Sequence, residues 1–386
     1  MPRDTSGHEA PFHLVAALPD GSARLDSIVV LPEVRVERER VPTAAERRSP
    51  TGSTSQLAAH RSGRALETLG ELLTAAPGVH VDPYGGLGAF STVSLRGAPP
   101  DQVAVYLDGM PWTGASHSTA DLSVLPYAAV ERVDVYRGTA PLSFGASPGG
   151  AIDLVTRRDA HGLELRAAGG SFSTWEAGAT TGFTGRSLRG LLHVSGQGSR
   201  GDYPYLDDNG TPFNAADDTV HARINANDAS LTTLGALEYD TEGWSTRLNE
   251  SLFLKQQGVP GRGAVPATVT RLGLTSSLTQ LTVTRAGDGW APALELGGAL
   301  HRDESHFEDP GAQLGLGTHD THDRLADALA RAALGWARLP LGLGFEAVGE
   351  TRREDAHLSD ALDGRPDPPP SRRDAVAAAL ALAWRA

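Results

Sequence analysis

From residue 159 onward, apolar side chains recur at every second position in successive blocks, and this rhythm constrains the fold more than any other feature of the chain. Leu188, Gly190, Leu192, Val194 and Gly196 share one face, against Arg189, His193, Ser195 and Gln197 on the other. Trp244, Thr246, Leu248, Leu252 and Leu254 oppose Ser245, Arg247, Asn249, Ser251 and Lys255. Leu294, Leu296, Gly298 and Leu300 oppose Glu295 and His301, and Val376, Ala378, Leu380, Leu382 and Trp384 fall together. A period of two marks β-strands with unlike faces. Blocks of about ten residues, separated by turns and polar loops, form the pattern of a membrane-spanning β-barrel. A soluble sandwich alternates too, but the long polar stretches at 198–228 and 302–322 favour the barrel. Leu325, Leu329, Ala332 and Trp336 also suit a helix, with Asp327 and Arg331 spaced for a helical ion pair. We read that stretch as a strand.

The residues before 159 follow another rule. Leu66, Leu69, Leu72 and Leu73 fall on one helical face, and Pro77-Gly78 ends that helix. The period then changes to two. Val103, Val105 and Leu107 alternate with Ala104, Tyr106 and Asp108, as on a half-buried strand. Val133 and Val135 alternate with Asp134 and Tyr136, and Ile152, Leu154 and Thr156 give a third strand. Asp108-Gly109 is a turn signal. The result is a small α+β domain with glycine-rich connections, which gains from being enclosed because its own core is limited.

Several motifs lie in fixed order: Pro77-Gly78-Val79, Ser94-Leu95-Arg96-Gly97, Val105-Tyr106-Leu107-Asp108-Gly109-Met110-Pro111, Val130-Glu131-Arg132-Val133-Asp134-Val135-Tyr136-Arg137-Gly138, Phe144-Gly145 and Gly149-Gly150-Ala151-Ile152-Asp153-Leu154-Val155-Thr156. Together they resemble the plug domain of TonB-dependent outer-membrane receptors. The resemblance implies an α+β plug followed by an antiparallel transmembrane β-barrel. It divides the chain into a flexible N-terminal segment over 1–55, a plug over 56–158 and a partial barrel over 159–386. Receptors with a plugged lumen use about 22 strands, and the alternation here supplies about ten. The expectation is therefore a fragment, with roughly half of the barrel's strands forming an open sheet around the plug.

The resemblance also implies site residues and partners. Asp26, Ser27, Ile28, Val29 and Val30 stand in a polar tail and resemble a TonB box, the segment offered to a TonB-type energy transducer by strand addition. Arg96, Glu131, Arg132 and Arg137 are expected to tie plug to barrel, since charges enclosed in a lumen need partners. Tyr84, Trp112, Tyr203 and Tyr205 are the candidate ligand contacts. The implied ligand is scarce, an iron–siderophore complex or a cobalamin-like molecule. The implied location is the outer membrane, in contact with its lipid. Phe12–Leu18 is a short apolar run preceded by Asp4 and Glu9, so a secretory leader is not recognisable.

Composition narrows the rest. No apolar stretch approaches the ~20 residues of a membrane helix, and mean hydropathy is −0.25. Cysteine is absent, which excludes disulfides and thiolate-bound metals. A net charge of −13, with Lys255 the single lysine, argues against nucleic acid. His301, Asp303, Glu304, His306 and Glu308, with His319, Asp320, His322 and Asp323, offer ligand types at irregular spacing; we read them as solvated loops without a dedicated metal site. Gly85-Gly86-Leu87-Gly88 lacks dinucleotide spacing. No catalytic triad, cofactor or enzyme is indicated. The alternative to a transporter is a soluble periplasmic binding or interaction module that lacks a pore.

Overall fold

The computed structural model describes residues 53–59, 68–84, 90–112, 119–124, 127–138, 140–144, 147–158, 162–211, 213–262, 265–287, 291–315, 317–339, 343–359 and 365–384. The TonB-box-like residues 26–30, Leu66 and the glycine run 85–88 lie outside them. Two sheets dominate.

The first is assembled from β1 (Ser53–Ala58), β4 (Val103–Leu107), β5 (Met110–Pro111), β6 (Val130–Arg137) and β7 (Gly150–Thr156), with β2 (Val79–Pro83) and β3 (Ser91–Leu95) as a separate hairpin. Strand order is β1-β6-β7-β4-β5. Among the described residues only the β4–β7 pairing is parallel. β1 begins inside the segment expected to be flexible, pairing Ser53 with Arg137. Among the described residues one α-helix, α1 (Leu69–Thr74), precedes β2. Thr68 caps it: its Oγ1 accepts from Glu71 N–H, and the Glu71 carboxylate accepts from Thr68 N–H, each at 3.2 Å. Leu69, Leu72 and Leu73 are its buried face.

Strands β4, β6 and β7 of this sheet are largely buried on both faces rather than half-buried. One face joins α1 in a core of Leu73, Val105, Leu107, Val133, Val135, Ile152 and Leu154. The other packs Tyr106 and Tyr136 on Phe144, with Tyr106 stacked at 4.2 Å between centroids. Tyr106, Asp134, Tyr136 and Asp153, which alternation places on a wet face, are fully or nearly fully buried. Burial pushes the Tyr106 phenol well above its ordinary pKa, and its hydroxyl donates to the Phe144 carbonyl.

The second sheet is a meander. Its strands are β8 (Gly162–Gly169), β9 (Trp175–Thr184), β10 (Leu188–Ser199), then, beyond a small hairpin of β11 (Pro204–Asp207) and β12 (Thr219–Ala222), β13 (Asp228–Thr241) and β14 (Trp244–Gly258). A second small hairpin, β15 (Gly261–Arg262) and β16 (Val265–Pro266), leads to β17 (Arg271–Arg285), β18 (Ala293–Asp309), β19 (His319–Leu339), β20 (Leu343–His357) and β21 (Ser371–Trp384). The ten long strands pair in chain order, with β8 and β21 at the edges, so among the described residues the sheet is open. The segment 319–339 is one strand, as read. Its expected helical ion pair is absent, because residues four apart in a strand are too far apart to meet. Asp327 pairs instead with Arg352 at 2.8 Å and Arg331 with Glu350 at 2.9 Å, each across to β20. The supposed loop at 302–322 is mostly strand, with only 310–318 connecting.

The outward face is apolar. Leu163, Leu192, Leu248, Leu296, Val376 and Leu380 are exposed there, while the inward neighbours His193, Arg247, Asn249, Lys255 and Gln280 are buried. Phe183, Tyr239 and Trp244 are exposed near the short-turn rim, the position of an interfacial aromatic girdle. Among the described residues no helix is long and apolar enough to cross a membrane.

Candidate functional site

Inward polar residues of the wall converge on one turn of the enclosed domain. Asp108 and Gly109 join β4 to β5 with φ of 50° and 81°, a tight turn with both central residues left-handed. The Asp108 carboxylate accepts from Thr156 N–H at 3.0 Å and from Thr156 Oγ1 at 2.6 Å, which ties the turn to the end of β7. Its second oxygen accepts from Asn249 Nδ2 of β14 at 2.9 Å. Arg247, also on β14, donates to Thr156 Oγ1 at 2.5 Å and lies 3.6 Å from Asp108. Arg247 is itself held by Asn249 and by Glu238 of β13.

Two more wall strands reach the same turn through backbone acceptors. Gln280 of β17 donates to the Leu107 carbonyl at 3.1 Å. Arg331 of β19 donates to the Gly109 carbonyl at 2.8 Å and is braced by two bonds to Glu350 of β20. Three wall strands thus bond the turn and the adjoining end of β7, while β13 and β20 brace the two arginines; all of these bonds except that of Gln280 involve a charged group, which makes them the stronger kind. Beside this latch the packing is close: a Cβ on Gly297 would overlap the Met110 thioether, whose sulfur would be 3.4 Å away. Leu278, Ala299 and Leu329 of the wall join the core of the enclosed domain directly.

Toward the rim that carries the long loops, a cavity of about 370 Å³ opens between the two parts. Phe90, Trp112 and Asp121 line it from one side, and Lys255, His301 and Asp303 from the other. The Trp112 ring lies 5.6 Å from that of His301. His301 Nε2 is within 3.2 Å of Ser276 Oγ and 3.1 Å of Asp303. An aromatic wall with a few convergent charged groups is the usual composition of a small-molecule site.

The residues expected to bridge the two parts behave differently. Arg96 donates to the Arg137 carbonyl, Arg137 to the Pro77 and Thr54 carbonyls and to Ser53 Oγ, and Arg132 pairs with Asp134. All three bond within the plug: Arg96 and Arg137 at the end of its sheet where β1 and β6 meet the Pro77 turn, and Arg132 along β6 itself. Glu131 alone faces the wall, sharing a cavity with Arg166, Glu176 and His193. Of the four expected ligand contacts, Trp112 lines the upper cavity, and Tyr84 packs 5.5 Å from Phe90, which also lines it. Tyr203 meets Phe172 edge-on, and Tyr205 meets Arg223; neither lines that cavity. Sequence reasoning missed Asp108, Gln280 and Arg331 as a latch. The available signal was the run of large polar residues at inward positions in the middle of strands.

Residues 46–152 match the family described as TonB-dependent Receptor Plug Domain. Over 81–88% of the chain the fold is similar to that of solved receptors and transporters at low identity. The siderophore receptor PiuA from Acinetobacter baumannii is 13% identical with a TM-score of 0.57, the match covering 85% of this chain and 53% of that one. The FrpB iron transporter from Neisseria meningitidis (F3-3 variant) is 16% identical with a TM-score of 0.63, covering 81% and 50%. A point mutant of the ferric enterobactin receptor PfeA from Pseudomonas aeruginosa is 14% identical with a TM-score of 0.61, covering 88% and 55%. The chain therefore spans about half the length of the solved receptors it matches.

Proposed function

We propose that this chain, which belongs to the TonB-dependent receptor family and is not an enzyme, supplies the plug and the adjoining wall strands of an outer-membrane transporter for a scarce ligand such as a ferric siderophore. The plug is residues 56–158 and the wall 159–386. Ligand enters the cavity between Trp112 and His301 from the long-loop rim. A TonB-type transducer pairs with residues 26–30 and draws on the plug, and the pull is resisted where the Asp108 turn meets Arg247, Asn249, Gln280 and Arg331.

The observation that carries this reading is that the plug turn is held to the wall by polar, hydrogen-bonded side chains, with apolar contact to the wall limited to small clusters around Leu278, Ala299 and Leu329 and around Leu191, Leu234 and Ala236. Such contacts can be exchanged for water as the plug moves, whereas a buried apolar seam cannot without a large loss. The exposed apolar row on the outward face disfavours the soluble-module alternative, since a patch that size in water drives association.

Ligand class is tested by fluorescence. Ferric siderophores and cobalamin are titrated onto the detergent-solubilised chain while tryptophan emission is followed. Saturable quenching by a ferric siderophore that is lost in Trp112→Phe supports the cavity. Quenching by cobalamin alone redirects the ligand class, and no saturable quenching by either overturns the reading.

A further inference from the structure

Well away from the latch, at the long-loop end of β18 and β19, four side chains converge on the outward face. In the register of these strands His306 lies opposite His322, and Glu308 opposite Asp320. The two imidazole rings stack with centroids 3.7 Å apart and planes 18° from parallel. Both turn the same nitrogen to the same carboxylate: His306 Nε2 is 2.9 Å and His322 Nε2 3.4 Å from Asp320 Oδ1. Glu308 Oε1 is 3.1 Å from His306 Nε2. The single-atom donors of His306, Asp320 and His322 all lie within 4.8 Å of one another.

We propose that these residues bind a divalent transition-metal ion, with His306, His322 and Asp320 as ligands and Glu308 completing the set. Bonds of 2.0–2.1 Å to nitrogen or oxygen in a tetrahedron put neighbouring donor atoms roughly 3.3 Å apart. The donor separations given above bracket that value, so an ion enters with small side-chain rotations and no backbone change. Two imidazoles and two carboxylates suit zinc, nickel or copper rather than calcium, which prefers six or more oxygens. The donors stand on paired strands rather than on a loop, and the β19 backbone is fixed locally. His322 N–H donates to Ser359 Oγ, and Ser359 N–H donates to Asp323. A bound ion would staple β18 to β19 beyond the lipid-facing belt.

The sequence offered these residues in a mixed cluster with His301 and Asp303. The strand pleat separates them: His301 faces inward to Trp112, and His306 outward. The site is thus independent of the ligand cavity and of the transport reading.

The test uses the full chain in detergent micelles. Cobalt(II) is titrated while its visible absorption is followed, and zinc is then added in competition. One equivalent is expected to give the intense bands of a tetrahedral nitrogen–oxygen site and to be displaced by zinc. His306→Ala, His322→Ala and the near-isosteric Asp320→Asn should each weaken binding by more than about tenfold, while His221→Ala, on the β12 hairpin, leaves it unchanged. All four side chains are partly exposed, so these variants keep the fold. Absence of a saturable band, or a band that survives in the His306→Ala/His322→Ala double variant, would overturn the proposal.

Discussion

Strand β7 of the plug and strand β14 of the wall both contact the interior, yet they obey opposite rules. Every side chain of β7 is buried, and its neighbours on both faces are mostly apolar. In β14 the buried positions are Arg247, Asn249, Ser251 and Lys255 along with Phe253, while Trp244, Leu248 and Leu254 are exposed. Burial makes no distinction within the first strand, whereas in the second it falls mainly on the polar residues and leaves large apolar ones exposed. The inversion makes sense only if the medium outside the wall is apolar and the surface inside is a protein that offers hydrogen bonds. The plug is stabilised as a soluble domain is, whereas on the proposed reading the wall has lipid on one side and the plug on the other.

The contrast can be broken most forcefully at the plug centre. Ile152→Asp puts a carboxylate where both faces are closed, and a loss of more than about 4 kcal/mol is expected. Limited proteolysis should then cut within 68–158; continued protection would mean the plug interior is not dry. Arg247→Met tests the opposite pole. It leaves Asp108 without its cation and Glu238 with Arg189 alone, at about 3 kcal/mol, and the plug should detach from the wall at lower urea than in the parent chain. An unchanged midpoint would remove the latch from the account.

A smaller effect probes the outward face. Leu248→Arg should cost about 2–3 kcal/mol in a bilayer and nearly nothing in a detergent-free, water-exposed setting. Equal cost in both would argue against lipid contact. The most local change is Gly297→Ala. Its methyl meets Met110, so a loss of about 1–2 kcal/mol is expected from overpacking, relieved in the Gly297→Ala/Met110→Ala pair. Additive losses in that double-mutant cycle would mean the two residues do not touch.

Local pattern made much of this fold legible. Leu69, Leu72 and Leu73 announced α1, and the alternation from Leu188 to Gln197 announced β10. The stretch 319–339 was harder because Ala326, Ala328, Ala330, Ala332 and Ala333 give no contrast between faces. The double burial of β4, β6 and β7 was hidden, since Tyr106 and Asp134 look like wet-face residues until the covering element is known. The latch was the least legible part. Its bonds join residues 91, 141, 173 and 222 positions apart, and no spacing rule reaches that far. Arg96, Arg132 and Arg137 misled because charge density within a motif says that partners exist, and not on which side they lie.

The central claim is that the ten-stranded sheet turns its apolar face to lipid and its polar face to the plug. Nitroxide labels at Leu248→Cys and Asn249→Cys, neighbours on one strand, test it most directly when the chain is reconstituted in bilayers and collision with oxygen and with a water-soluble nickel chelate is measured. The account predicts fast oxygen collision and slow nickel collision at 248, and slow collision with both at 249, where the plug covers the label. Equal nickel accessibility at the two positions, or lipid-like oxygen accessibility at 249, would contradict it.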